Sequence, residues 1–128
     1  MKRANLVIGT RGSKLAMIYA ENVKNELKKY FSKEIELIKI VTTGDQKKDE
    51  RLSEIGGKGL FSKQIEWELL NNKIDIAVHA LKDMPSYETK GLLTNCFLKR
   101  NDPREVLIAT NNNLIKDLKP NSVVGTSS

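Results

Sequence analysis

A chain of 128 residues with 39% apolar side chains carries enough material for one core of ordinary size. Its net charge of +6 invites an anionic partner, but Lys24, Lys28, Lys29 and Lys33 alternate with Glu21, Glu26 and Glu34 as solvated faces do. The few aromatic residues do not interleave with the basic ones, which argues against nucleic acid. A single cysteine, Cys96, excludes an internal disulfide framework, and no apolar run suits a signal segment or a bilayer span. The composition reads as a soluble, cytoplasmic protein.

In chain order, Asn5 to Thr10 predicts a first strand. Ser13 then caps a helix whose apolar positions Ala16, Ala20, Val23, Leu27 and Tyr30 recur at helical spacing. Ile35 to Val41 predicts a second strand. The polar segment from Thr42 to Lys58 is longer than most connections in compact domains. A second helix is expected from about Leu60 to Asn71, with Phe61, Ile65 and Leu69 on one face and Asn71-Asn72 as its stop. Ile74 to Val78 predicts a third strand, which Pro85 ends a few residues on. Beyond Gly91 comes the apolar run Leu92 to Leu98, in which Cys96 is expected to pack as a small hydrophobe.

Lys99 to Arg104 is polar and holds a proline, so it is the expected interdomain crossing. This divides the chain into a first α/β domain over residues 1–99 and the beginning of a second over 100–128. Val106–Ala109, a short helix near Leu114–Leu118 and a strand at Val123–Val124 would open that second domain. Strands alternating with helices argue an α/β fold with mostly parallel pairing.

Three stretches carry candidate chemistry. Lys82 and Asp83 follow a strand, where α/β sheets bind ligands, although an ordinary turn with a solvated ion pair reads equally well from position alone. Thr10-Arg11-Gly12-Ser13 joins a strand to a helix N-terminus and offers an anion site, the alternative being a plain helix cap beside a surface arginine. Gly125-Thr126-Ser127-Ser128 repeats that device. Gly56-Gly57-Lys58-Gly59 is not a Walker loop, because Gly59 stands where Ser or Thr is required. His79, the sole histidine, completes no metal-ligand set, and a backbone hydrogen bond is expected for it.

Val78-His79-Ala80-Leu81-Lys82-Asp83-Met84-Pro85 resembles the signature of the porphobilinogen deaminase (hydroxymethylbilane synthase) family. Ile8-Gly9-Thr10-Arg11-Gly12-Ser13-Lys14-Leu15-Ala16, Thr42-Thr43-Gly44-Asp45, Gly57-Lys58-Gly59-Leu60-Phe61, Arg100-Asn101-Asp102-Pro103-Arg104 and Gly125-Thr126-Ser127-Ser128 resemble further family blocks, in the family's order. The family's proteins are much longer, so the resemblance implies an N-terminal portion, inactive by itself. In the family a helix with two arginines follows the last block.

The resemblance implies a periplasmic-binding-protein-like (type II) lobe and the start of a second. It implies head-to-tail condensation of four porphobilinogen molecules, with loss of ammonia at each step, to give hydroxymethylbilane in haem biosynthesis. Asp83 matches the carboxylate that accepts the pyrrole N–H and stabilises the developing cation. Arg11, Ser13, Lys82, Thr126, Ser127 and Ser128 match residues that hold acetate and propionate groups. Lys58 and Phe61 match a lid, helix core being the other reading of Phe61. The dipyrromethane cofactor is tethered in the family to a downstream cysteine, a role that does not pass to Cys96. Tyr19 departs from the family's usual Gln. The full-length enzyme is expected to be a monomer without metal, membrane or nucleic-acid partners. The alternative is a non-catalytic carboxylate-binding module of the periplasmic-binding-protein type.

Overall fold

The structure is a computed structural model that describes residues 5–46, 59, 61–109 and 114–126. Strand β1 runs Leu6–Arg11, helix α1 Lys14–Leu27, strand β2 Ile35–Ile40, the single turn α2 Thr43–Gln46, helix α3 Lys63–Leu70 and strand β3 Ile76–Ala77. The sheet order is β2-β1-β3 with both pairings parallel, Leu6 opposite Ile35 and Ile8 opposite Ile76. The expected α/β class with mostly parallel pairing is therefore what the chain forms.

Side-chain alternation on the central strand explains its two coats. Val7 packs with Ile40, Ile65 and Ile74 on the α3 side. One residue out of phase, Thr10 turns to α1 and its hydroxyl donates to the Ala16 carbonyl at 3.3 Å. A strand covered on both faces needs apolar residues at nearly every position, and β1 is buried from Val7 to Thr10. Gly9 is required by close approach: a Cβ there would lie 2.4 Å from Ile74 Cδ1 and 2.8 Å from Ile40 Cδ1.

Local signals set the helix ends. Ser13 is extended and its side chain accepts from Ala16 N at 3.3 Å, capping α1 as expected. Tyr30 lies beyond that helix and is 83% exposed, so the apolar stripe ends at Leu27. Helix α3 stops in a Schellman motif: Asn72 is left-handed (φ 54°), its N–H bonds Leu69 O at 3.0 Å, and Lys73 N bonds Glu68 O at 2.9 Å. The helix begins at Lys63, so Phe61 precedes it, and Leu60 lies outside the described residues.

Strand β3 is shorter than the expected Ile74–Val78. Asp75 replaces a ladder step with its side chain, accepting from Val7 N at 2.8 Å while its own N–H bonds Val7 O at 2.8 Å. Ile74 instead turns into the core, 3% exposed.

The chain divides into two units, Met1–Phe97 and Leu98–Ser128. At the end of the first, Leu92 to Phe97 form no strand, and Leu93, Cys96 and Phe97 are exposed. The expectation that Cys96 packs inside is thus overturned, because its side chain is exposed. In the second unit a 3₁₀ turn at Ile115–Asp117 stands where a short helix was expected, held by Leu114 N donating to the Asp117 carboxylate at 3.0 Å. Val123 and Val124 are exposed and not in a strand. No helix among the described residues is long and apolar enough to cross a membrane.

Candidate functional site

The strand order places the site. From β1 the chain moves to β2 on one side, then crosses to β3 on the other, so the order reverses between the carboxyl ends of β1 and β3. A cleft of about 140 Å³ opens there. It is lined by Arg11 at the end of β1 and Ser13 just beyond it, by Phe61, and by His79, Lys82 and Asp83 after β3. Tyr19 reaches it from α1. A larger open groove of about 410 Å³ lies along β2 and α3, but it is lined by Ile38, Ile40, Gln64, Glu68 and Lys73 and holds none of the candidate residues.

Each cleft residue is held differently. Ser13 spends its oxygen as acceptor on the helix cap, which leaves its hydroxyl hydrogen to donate. Arg11 is gripped by Asp45, with Nη2 2.6 Å and Nε 3.1 Å from Oδ1. Thr42, fully buried, donates its hydroxyl to Asp45 Oδ2 at 2.7 Å. The Phe61 ring lies 3.9 Å from the Arg11 guanidinium carbon. Behind Phe61 sits Gly44, where a Cβ would meet the ring at 2.2 Å. Partial burial works to raise the Asp45 carboxyl, but the hydrogen bonds from Arg11 and Thr42 and the Arg11 charge prevail and hold it below the usual carboxylate range.

Leu81–Asp83 form a 3₁₀ turn closed by Asp83 N to Ala80 O at 2.9 Å and Met84 N to Leu81 O at 3.1 Å. Met84 is already extended, the conformation that Pro85 imposes on its predecessor. Lys82 and Asp83 are both exposed and make no ion pair with each other. The solvated pair that position alone allowed is not formed. Nor is Asp83 in a dry environment in this unit.

His79 corrects another expectation. Its Nε2 is buried and has no hydrogen-bond partner among the described residues, instead of the expected backbone bond. Burial pushes the imidazole below its ordinary value, with smaller contributions of mixed sign from Glu66, Arg11 and Asp83. The unfolded chain therefore takes up this proton near pH 6.5, whereas the folded chain resists it to lower pH. Stability is full above that point and declines as the pH falls through it. Urea midpoints should drop between pH 7 and pH 5, and His79→Gln should flatten that slope. An unchanged slope in the variant would contradict this reading.

The cleft thus gathers Arg11, Ser13, Phe61, Lys82 and Asp83 from distant parts of the sequence. Thr126 belongs to the second unit, and Lys58, Ser127 and Ser128 lie outside the described residues. Sequence reasoning missed Asp45 and the unpartnered His79 nitrogen. For Asp45 a signal existed, a carboxylate two residues after Thr43 in an otherwise polar block, but nothing in the sequence couples it to Arg11.

A family model described as "Porphobilinogen deaminase, dipyromethane cofactor binding domain" matches residues 6–128. The chain is 48% identical over 125 residues to porphobilinogen deaminase of Geobacillus kaustophilus, covering 97% of this chain and 40% of that protein. Identity to the Clostridioides difficile enzyme is 52% over 128 residues (97% and 42%), and to that of Ehrlichia chaffeensis 46% over 125 (97% and 42%). The chain belongs to the porphobilinogen deaminase family. It spans about two-fifths of the length of these relatives.

The deaminase family's cofactor fits the residues present. A dipyrromethane carries carboxylate side chains and pyrrole N–H donors. The cleft answers with the cations Arg11 and Lys82 and the Asp83 carboxylate.

Proposed function

We propose that this chain supplies the first lobe, residues 1–99, and the opening of the second, residues 100–128, of a porphobilinogen-polymerising deaminase. The observation that carries the reading is the meeting of Arg11, Ser13, Lys82 and Asp83 in one cleft at the sheet's switch point. The parallel 2-1-3 order supports a periplasmic-binding-protein-like (type II) lobe. Thr126, Ser127 and Ser128 would add carboxylate contacts from the second lobe, and Lys58 and Phe61 would cover the site. Cytoplasmic location rests on the one exposed, unbridged cysteine. The monomeric state and the absence of nucleic-acid partners rest on the family resemblance and the mixed surface charge.

In this reading Arg11, Lys82 and the Ser13 hydroxyl bind the acetate and propionate groups of porphobilinogen and so orient its ring. Asp83 accepts the pyrrole N–H. As ammonia leaves and positive charge spreads over the ring, that hydrogen bond becomes charge-assisted and strengthens, which lowers the barrier. Asp83 then takes the α-proton once the new carbon–carbon bond has formed. The dipyrromethane, when bound, supplies the nucleophilic α-carbon. The gain at Asp83 grows as water is excluded, which its exposure in this unit assigns to other parts of the enzyme.

A chimera tests the reading directly. With this chain replacing the corresponding portion of the Geobacillus kaustophilus deaminase, porphobilinogen should be consumed with ammonia release and formation of hydroxymethylbilane. A soluble, cofactor-loaded chimera that binds porphobilinogen without releasing ammonia would favour the non-catalytic carboxylate-binding module.

A further inference from the structure

The Arg11 guanidinium has two usable edges, and among the described residues only one is taken. Asp45 receives Nε–H and one N–H of Nη2, the side-on edge of the fork. The second N–H of Nη2 and the Nη1 N–H beside it form the end-on edge, which has no hydrogen bond to a described residue. One face of the same plane is covered by Phe61 at 3.9 Å. Asp45 is itself fixed, since Thr42 donates to it at 2.7 Å and the Asp45 N–H returns to the Thr42 hydroxyl at 3.3 Å. Thr42 is fully buried, so this anchor belongs to the body of the unit. A long, flexible arginine is thereby held in one plane with a second bidentate edge that no described residue takes, and Arg11 lines the cleft.

We infer that Asp45 is a positioning residue, holding Arg11 by its side-on edge so that the end-on edge receives a substrate carboxylate. The inference rests on the deaminase reading of the same cleft. The buried anchor acts through Thr42 and Asp45 on Arg11, and each link is a hydrogen bond. Pre-paid orientation of this kind improves binding of the carboxylate in ground and transition states alike, so it should appear in KM more than in kcat. An opposite role is also definable. If Asp45 merely competed with the substrate carboxylate for Arg11, its removal would tighten binding.

The test is a double-mutant cycle read by two methods. Asp45→Asn keeps the shape and removes the charge, and should weaken porphobilinogen binding to the 128-residue chain, measured by calorimetry, about tenfold. In the chimeric deaminase it should raise KM by a similar factor while kcat stays within about twofold. Arg11→Lys lacks a fork, so in that background Asp45→Asn should have almost no further effect. Thr42→Val, also close in shape, should move KM the same way by a smaller factor and covers the case of a misfolded Asp45 variant. Four outcomes overturn the inference: no binding by the unmodified chain, tighter binding in Asp45→Asn, a full Asp45→Asn effect in the Arg11→Lys background, or KM unchanged in both Asp45→Asn and Thr42→Val. Failure of the deaminase reading looks different, because the chimera with the unmodified chain would then release no ammonia.

Discussion

Asp83→Asn, in a deaminase carrying this chain as its N-terminal portion, is expected to lower kcat by about a hundred- to a thousandfold while leaving the fold and the attached dipyrromethane in place. The turn that carries Asp83 is closed by backbone bonds to Ala80 and Leu81 that do not involve its side chain. Its carboxylate makes no hydrogen bond to a described residue, so structure does not depend on its charge. An amide of the same shape still accepts a pyrrole N–H but cannot neutralise the cation formed as ammonia leaves. The loss should therefore fall on kcat, not KM. Steady-state kinetics together with intact mass for cofactor content decide the matter. Turnover within about threefold of the parent would remove Asp83 from the central role.

Ile65→Ala is expected to cost about 2–5 kcal/mol of stability, comparable to the whole margin of a small unit. Ile65 is fully buried on α3 and packs with Val7, Ile40 and Ile74 across the sheet. Among the described residues of the first unit, few other apolar side chains are buried to share that work. Removing three carbons there opens a cavity among Val7, Ile40 and Ile74, which sit on separate chain segments and cannot all close over it. A urea titration should show a greatly lowered midpoint or no cooperative transition. A shift under about 0.5 kcal/mol would mean that α3 is not docked as described.

What the sequence made legible was local. Strand β1, the Ser13 cap, strand β2 and the Asn71-Asn72 stop of α3 depend on neighbours within a few residues, and each formed close to its expected place. Strand β3 shrank because Asp75 found a partner in Val7, distant in sequence but adjacent in the sheet. Cys96 and the run from Leu92 were expected inside because they are apolar, but hydropathy does not say what surface will cover a segment. Motif matching singled out Arg11, Ser13, Lys82 and Asp83 as candidates, and the parallel order explains why they converge on one cleft. Long-range pairing stayed hidden. The grip of Asp45 on Arg11 spans 34 positions, and the His79 nitrogen without a partner among the described residues follows from what fails to reach it.

The central claim is that carboxylates bind between the carboxyl ends of β1 and β3. The most direct measurement is an amide NMR titration of the 128-residue chain with porphobilinogen. Shifts clustered on Arg11, Gly12, Ser13, His79, Lys82 and Asp83, and lost in Arg11→Ala, are the predicted result. Shifts confined to the groove along β2 and α3, around Ile38, Gln64 and Lys73, would contradict it.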